Sequence, residues 1–116
     1  MLRWEEVPTP TPGPEQVLLR VHAVSVNRTL DLQVRQDGGN YRTVLPVVLG
    51  NDPSGVVVAV GQAVGQPQVN QRVAVFGGIR CGTCTSCVQG QYAQGSRPRM
   101  LGIQCLGGYA QYLTGW

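Results

Sequence analysis

Lysine is absent from this 116-residue chain, so all nine of its basic residues are arginines, and no carboxylate follows Asp52. An arginine-rich half can attract phosphates, but these arginines do not cluster with aromatic residues, and the net charge is only +3. We therefore expect a solvated surface and no nucleic-acid partner. The missing lysine is a compositional bias that indicates no function.

Long hydrophobic runs are absent as well, so the sequence contains no candidate transmembrane helix. The first six residues, Met-Leu-Arg-Trp-Glu-Glu, do not have the basic and then apolar pattern of a signal peptide. We expect a soluble, cytoplasmic protein with no membrane partner. In that compartment the four cysteines would stay reduced.

Charged residues make up only 13% of the chain, whereas it contains 16 glycines and 8 prolines. This balance favours short strands joined by tight turns, and the length suits one domain spanning residues 1–116. Four prolines between residues 7 and 14 predict an extended segment before the first strand. Several short strands, at residues 55–61, 72–76 and 109–113, then predict a closed or nearly closed barrel.

The first predicted strand covers residues 16–23, where apolar residues alternate with Leu18, Arg20 and His22. Beyond Ala23 the apolar side chains change face, so the strand either bulges or becomes buried on both faces. His22 precedes this change and has no partner nearby in the sequence. We expect it to be a surface residue.

One short helix is predicted over residues 27–36, because Leu30 and Val34 stand one helical turn apart. Asp31 and Arg35 repeat that spacing and predict a supporting ion pair. Residues 37–40, Asp-Gly-Gly-Asn, would end the helix, and residues 44–50 would bring an apolar run toward the core.

Three cysteines at steps of three, in Cys81-Gly-Thr-Cys84-Thr-Ser-Cys87, are the strongest chemical signal in the sequence. Such a knuckle can offer three thiolates as three corners of a tetrahedron around one divalent ion. Small residues between the cysteines permit the tight backbone that this arrangement needs.

The run from Arg80 to Gly90, followed by Met100-Leu-Gly and Gly107-Gly-Tyr-Ala-Gln-Tyr, resembles the structural-zinc lobe of the medium-chain alcohol dehydrogenase and quinone reductase superfamily. Val48-Leu-Gly-Asn-Asp-Pro-Ser-Gly and Gln71-Arg-Val-Ala-Val extend the resemblance to the chaperonin-10-like (GroES-like) domain of that family. The resemblance implies a mainly β, partly open barrel with one or two short helices and a cysteine-containing lobe at about residues 78–105.

The family's structural zinc has a fourth cysteine eight residues after the third, and this position is Gly95 here. Cys105 is the one remaining cysteine, and a rearranged loop would have to bring it to Cys81, Cys84 and Cys87. Two alternatives remain, a bound structural zinc or a lobe of thiols without metal, and the missing ligand favours the second.

The family's catalytic zinc takes a cysteine where this chain has Asn27, in Asn27-Arg-Thr-Leu-Asp31, with Leu30 as one extra residue. The histidine of a Gly-His-Glu motif is the second ligand, and this chain has Gly50-Asn51-Asp52 there. Losing both ligands should abolish a three-ligand site. The chain is therefore more similar to the zinc-free quinone reductase branch.

By that resemblance, a full enzyme would pass a hydride from NAD(P)H to a quinone, enone or carbonyl, with hydrogen-bond donors replacing the metal. Asn27 and Tyr41 would line the cleft, Arg28 would meet the cofactor pyrophosphate, Thr29 would orient a proton, and Asp52 would hold the polar network. Simpler roles also stay open: Asn27 as a helix cap, Arg28 as a solvent-facing residue, and Asp31 and Asp52 as turn formers.

No Gly-x-Gly-x-x-Gly follows a predicted strand, so we expect the family's nucleotide-binding domain to lie outside this chain. The isolated chain would then be inactive. A non-catalytic binding or assembly module on a chaperonin-like barrel is the alternative function. The expected partner is a small carbonyl, quinone or alcohol, and the sequence leaves a homo-oligomer open.

Overall fold

A computed structural model describes residues 1–37, 41–95 and 98–115. Its elements follow in this order: β1 (Val17–Val24), α1 (Leu30–Asp37), β2 (Pro53–Val60), β3 (Arg72–Ala74), β4 (Gly78–Ile79), α2 (Thr85–Val88), a 3-10 turn (Tyr92–Gln94), β5 (Arg99–Met100) and β6 (Tyr112–Gly115). Among the described residues, no helix has the length and apolar character needed to cross a membrane.

The strands form two antiparallel sheets. The larger sheet has the order β3-β2-β1-β6, and the smaller one pairs β4 with β5. Both sheets are open within the described part of the chain, so the expectation of a partly open, mainly β fold is confirmed, whereas the expectation of a closed barrel is wrong.

The predicted irregularity in the first strand is a bulge. The pairing of β1 with β2 shifts between Val21 and Ala23, and His22 lies at this shift with its side chain exposed. A second shift falls between Leu18 and Leu19. A β-bulge typically bends its strand and increases its local twist.

Among the described residues, two apolar clusters form the core. The first lies on the large sheet around Leu19 and Val57, and smaller valines surround it. The second joins α1 to the following loop and to the segment after β5, through Val34, Leu49 and Ile103. The predicted inward apolar run at residues 44–50 is thus found only in its second half, at Val47 and Leu49, because Val44 and Leu45 are exposed, and the run is not a strand.

Helix α1 begins at Leu30 and ends at Asp37, so it is shorter at its start than predicted. Leu30 and Val34 both pack in the second core, as their spacing indicates. The predicted Asp31–Arg35 ion pair is wrong, because Asp31 is only 3% exposed and turns inward, while Arg35 is exposed. Residues 38–40 of the predicted helix break lie outside the described residues.

The N-terminal segment has no helix or strand over residues 1–13, in agreement with its prolines. The predicted strand at residues 72–76 is found as β3, which is shorter, and the last strand starts at Tyr112, three residues later than expected. The lobe between β4 and β5 carries α2 and the 3-10 turn.

Candidate functional site

A polar cluster surrounds the start of α1. The exposed carboxylate of Asp52 accepts hydrogen bonds at Oδ2 from Asn27 Nδ2, at 3.2 Å, and from Ser25 Oγ, at 3.3 Å. These residues come from the end of β1, the turn before α1 and the segment before β2. The structure therefore brings together two of the predicted cleft residues, Asn27 and Asp52.

Asn27 is also the N-cap of α1. Its Oδ1 accepts hydrogen bonds from the backbone N–H groups of Thr29, at 3.0 Å, and Leu30, at 2.9 Å. Two otherwise unpaired donors of the first helical turn are satisfied in this way. Asn27 can cap the helix and contact Asp52 at the same time, because Oδ1 accepts the backbone hydrogen bonds while Nδ2 donates to Asp52.

Asp31 lies beneath this cap and accepts three hydrogen bonds. Oδ2 takes the backbone N–H of Asn27 at 2.8 Å and the Tyr109 hydroxyl at 3.0 Å, and Oδ1 takes the Gly50 N–H at 3.1 Å. Burial raises the pKa of Tyr109 to about 12, and its hydrogen bond to Asp31 adds to the shift. Asp31 thus fixes the position of Asn27 relative to the Gly50 loop.

Asn51 occupies the second position at which the family resemblance places a zinc ligand. Its side chain is 4% exposed, and Nδ2 donates to the Leu101 carbonyl at 3.0 Å. The backbone at Gly77 passes so close to this amide that a Cβ there would collide with it. The Asn51 amide is therefore packed into the protein rather than directed to the Asn27–Asp52 cluster.

The other predicted site residues are placed as follows. Arg28 and Thr29 are exposed in the turn that leads into α1, so both side chains are accessible from solvent. Tyr41 is partly buried against the second core, and its hydroxyl donates to Gln33 Oε1 at 2.9 Å. Tyr41 hydrogen-bonds to this neighbour and not to the Asn27–Asp52 cluster, so its role in the cleft stays a prediction.

The three cysteines of the lobe form one cluster. The Sγ atoms of Cys81, Cys84 and Cys87 all lie within 4.8 Å of one another, and those of Cys81 and Cys87 are 3.8 Å apart. A tetrahedral zinc with Zn–S bonds of about 2.3 Å requires sulfur atoms about 3.8 Å apart. The three thiols therefore fit three corners of a zinc site.

The surroundings of the cluster shift the pKa values of Cys81 and Cys87 in opposite directions. Hydrogen bonds from the backbone of Thr83 and Cys84 lower the pKa of Cys81. A backbone hydrogen bond from Gly82 also lowers the pKa of Cys87, but Cys84, burial and Cys81 together outweigh it and raise that pKa. The surroundings thus favour the thiolate of Cys81 over that of Cys87.

The fourth corner does not fit. Gly95 stands beside the cluster, and a Cβ built on it would lie 3.4 Å from Cys87 Sγ, but glycine offers no ligand atom. Cys105 is outside the group of three, and it lines a groove of about 340 Å³ with Val47, Ile103 and Leu106. Among the described residues, the lobe thus supplies three metal ligands.

The sequence did not identify Asp31, Tyr109 or Ser25 as members of the polar cluster. Asp31 and Tyr109 are 78 positions apart, and no local pattern links such distant residues. A usable signal existed for Asp31, since an acidic residue one turn after an Asn cap can return a hydrogen bond to the cap N–H.

Comparison with known proteins identifies the family of this chain. Residues 13–115 match the alcohol dehydrogenase GroES-like domain family. The chain is 38% identical over 113 residues to the L-threonine 3-dehydrogenase of Saccharopolyspora erythraea, covering 96% of this chain and 33% of that protein. It is 38% identical over 93 residues to the sorbitol dehydrogenase of Bacillus subtilis, covering 78% of this chain and 26% of that protein. The chain thus spans a third or less of the length of these relatives.

Solved structures show the same fold. The crystal structure of an NAD-dependent alcohol dehydrogenase superposes with a TM-score of 0.85 at 37% identity, covering 95% of this chain and 32% of that one. The cobalt- and zinc-bound thermostable alcohol dehydrogenase from Pyrobaculum aerophilum gives a TM-score of 0.85 at 32% identity, covering 97% of this chain and 34% of that one. The chain therefore belongs to the alcohol dehydrogenase GroES-like domain family, the N-terminal domain of the medium-chain alcohol dehydrogenase superfamily.

Proposed function

We propose that this chain is the substrate-side domain of an NAD(P)-dependent oxidoreductase that transfers a hydride to a quinone, enone or other carbonyl without a catalytic zinc. The observation that carries the proposal is the state of the two amides at the zinc-ligand positions. Both Oδ1 lone pairs of Asn27 are directed to backbone N–H groups, and Asn51 is buried with its Nδ2 on the Leu101 carbonyl.

Neutral amides are poor zinc ligands, and these two are engaged in hydrogen bonds within the protein. Without a Lewis acid, an alcohol would keep its high hydroxyl pKa, so loss of its proton would be difficult. A quinone or enone needs less assistance, because its extended π system spreads the negative charge that develops at the carbonyl oxygen. The two amides at the zinc-ligand positions therefore favour reduction of a conjugated carbonyl.

The residues of the chain would act at the edge of the cleft. The Thr29 hydroxyl is exposed beside the Asn27–Asp52 cluster and would orient a proton for the carbonyl oxygen. The exposed guanidinium of Arg28 suits a pyrophosphate through paired N–H donors. A nicotinamide cofactor, when bound by the remainder of an enzyme, would supply the hydride.

A second candidate function is the oxidation of an alcohol with zinc. The relatives favour it, because they are named L-threonine 3-dehydrogenase and sorbitol dehydrogenase. A non-catalytic binding or assembly module is a third alternative. The candidates differ in metal dependence and in substrate.

A chimera separates the three candidates. This chain would replace the matching segment of the Saccharopolyspora erythraea L-threonine 3-dehydrogenase, and NAD(H) and NADP(H) binding would first establish that the chimera folds. NAD(P)H-dependent reduction of a quinone or an enone that survives exhaustive chelation is the expected result. Alcohol oxidation that disappears with chelator and returns only with zinc would overturn the proposal. A folded chimera that binds cofactor but neither reduces a quinone or enone nor oxidises an alcohol would support the non-catalytic module.

The double variant Asn27→Cys/Asn51→His is the matched control within the chimera. It returns a thiol and an imidazole to the two positions at which the family resemblance places zinc ligands. We expect this variant to gain zinc-dependent alcohol oxidation that the unaltered chimera does not have. Equal zinc dependence in both proteins would show that the two amides do not decide the chemistry.

A further inference from the structure

The groove of about 340 Å³ that Cys105 lines is a feature separate from the polar cluster. Residues 42–47, which come after α1, form one of its walls, and residues 103–106, in the turn after β5, form the other. None of the residues that line the groove belongs to the Asn27–Asp52 cluster or to the group of three thiols. The groove therefore has no part in the chemistry proposed above.

Hydrogen bonds tie the two walls to each other at two places. The side chain of Gln104 donates from Nε2 to the Tyr41 carbonyl, and its Oε1 accepts the Met100 N–H at 2.9 Å. Directly beyond both walls, the Gly107 N–H donates to the Val48 carbonyl at 2.7 Å. The two walls are thus fixed relative to one another, as in the largely preformed pockets that bind small molecules.

The lining of the groove is apolar apart from one cation. Ile103 is 2% exposed and joins the second core, whereas Val44 and Leu106 keep 82% and 59% of their surface exposed. Arg42 is the one charged residue among the described residues that line the groove, and no carboxylate lines it. The lining therefore carries a charge of +1 beside an apolar surface.

Arg42 also has an unusual backbone conformation. Its φ is +56°, in the left-handed region that residues other than glycine rarely adopt. Strained backbone of this kind is concentrated at sites that bind ligands. The guanidinium of an arginine offers paired N–H donors that match the two oxygens of a carboxylate. A single arginine suits a monoanion better than a phosphate, which carries up to about two charges.

We propose that this groove binds a small apolar carboxylate, with its anionic group on Arg42 and its hydrocarbon body against Val44, Ile103 and Leu106. The volume lies at the lower end of the range for ligand pockets, so the ligand is small. The proposal is independent of hydride transfer, because no residue of the groove acts in that reaction.

NMR titration of the isotope-labelled chain at pH 7 provides the test. The probes are 4-phenylbutyrate and its neutral amide, 4-phenylbutyramide, which have the same size and differ by one charge. We expect the carboxylate to bind with Kd on the order of 1 mM and the amide to bind about three- to tenfold more weakly. The backbone signals of residues 42–47 and 103–106 should shift most.

Arg42→Gln separates the contribution of the charge from that of the apolar surface. We expect this variant to bind the carboxylate only as weakly as the amide, and to bind the amide like the unaltered chain. Arg35→Gln is the matched control, since Arg35 is exposed on α1 and does not line the groove, and it should change neither affinity. Leu106→Ala should weaken both probes by the same factor, about threefold, because it removes apolar contact area.

The thiol of Cys105 reports whether the groove is occupied. Alkylation by iodoacetamide is followed for each cysteine by peptide mass spectrometry. With 4-phenylbutyrate at nine times its Kd, Cys105 should react about tenfold more slowly, because only the unoccupied fraction of the chain reacts. Cys81 is the internal control, and its rate should not change.

Several results would overturn the proposal. They are no saturable shift below about 10 mM, equal affinity for the two probes, an Arg42→Gln variant that binds the carboxylate as tightly as Arg35→Gln, or binding that leaves the Cys105 rate unchanged. Protection of Cys105 that rises with chain concentration would identify a second copy as the occupant. Protection without ligand in the chimera would identify the rest of the enzyme instead, and either finding would also overturn the proposal. Far-UV circular dichroism of each variant confirms that it remains folded.

Discussion

Replacing Asp31 by Asn tests the inward orientation of this carboxylate. The side chain is 3% exposed and accepts three hydrogen bonds, from the N–H groups of Asn27 and Gly50 and from the Tyr109 hydroxyl. In the variant, one carboxylate oxygen becomes an NH₂ group that faces donors and cannot accept from them. At least one of the three donors would lose its partner.

The expected cost follows from the hydrogen bonds at risk. A hydrogen bond to a charged group contributes about 1.5 to 3 kcal/mol, and a buried donor left unpaired costs a further 1 to 3 kcal/mol, roughly. The amide oxygen of the new Asn keeps part of the interaction. We therefore expect Asp31→Asn to lower the free energy of unfolding by about 2 to 4 kcal/mol. A surface ion pair with Arg35 would contribute only about 0.3 to 0.5 kcal/mol.

Urea denaturation of the 116-residue chain, followed by far-UV circular dichroism at pH 7, measures this difference. Arg35→Gln is the control for an ion pair and should change stability by less than about 0.5 kcal/mol. Tyr109→Phe removes one donor and should cost about 1 kcal/mol. Equal losses of less than about 0.5 kcal/mol for Asp31→Asn and Arg35→Gln would refute the reasoning.

The remaining predictions concern pH, backbone conformation, metal and cofactor. Because the pKa of Tyr109 is raised to about 12, the unfolded chain loses this proton first as pH rises above about 10, and stability falls between those values. The loss of stability should be smaller than the roughly 2.7 kcal/mol that two pKa units represent, because solvent screens the partly exposed hydroxyl. The Tyr109→Phe variant should not show this loss when its free energy of unfolding is measured over the same pH range. Gly50→Ala should destabilise the chain by about 2 to 4 kcal/mol, because φ is +103° and the new Cβ would lie 2.7 Å from the Tyr109 ring, whereas Gly65→Ala should change stability by less than about 0.5 kcal/mol. Elemental analysis of chain purified from zinc-supplemented medium should find clearly less than one zinc per chain, and one tightly held zinc would contradict the open corner at Gly95. Calorimetry should find no micromolar binding of NAD(H) or NADP(H) to the chain alone, since one contact from Arg28 supplies about 1.5 to 3 of the roughly 8 kcal/mol required. Saturable micromolar binding would contradict this prediction.

Local patterns predicted much of the fold. The alternation in residues 16–23 and the valines of residues 55–61 correspond to β1 and β2, because a strand with one buried face leaves a period of two in its own sequence. The change of face after Ala23 predicted the bulge for the same reason. The cluster of Cys81, Cys84 and Cys87 was also predictable, since the three residues lie close together in the sequence.

Long-range contacts account for what the sequence did not predict. The spacing of Asp31 and Arg35 is equally compatible with a surface ion pair and with a buried carboxylate, and the Tyr109 hydroxyl that binds Asp31 comes from the far end of the chain. The hydrogen bond of Asn51 to Leu101 spans 50 positions and has no local sequence signal either. Asn27 was predictable as a cap, whereas its contact with Asp52 depends on the packing of β1 against β2.

The attachment of the lobe has a consequence for its dynamics. In the part of the chain that the structure describes, two residue pairs join β4 to β5, Gly78 with Met100 and Ile79 with Arg99. Among the described residues, neither apolar core cluster takes a member from the stretch between these strands. The lobe can therefore open as a separate cooperative unit, and its amide hydrogens should exchange with solvent long before those of β1 and β2. An ion held by the three thiols would slow that exchange, so hydrogen exchange in the lobe reports metal occupancy in the absence of any chromophore.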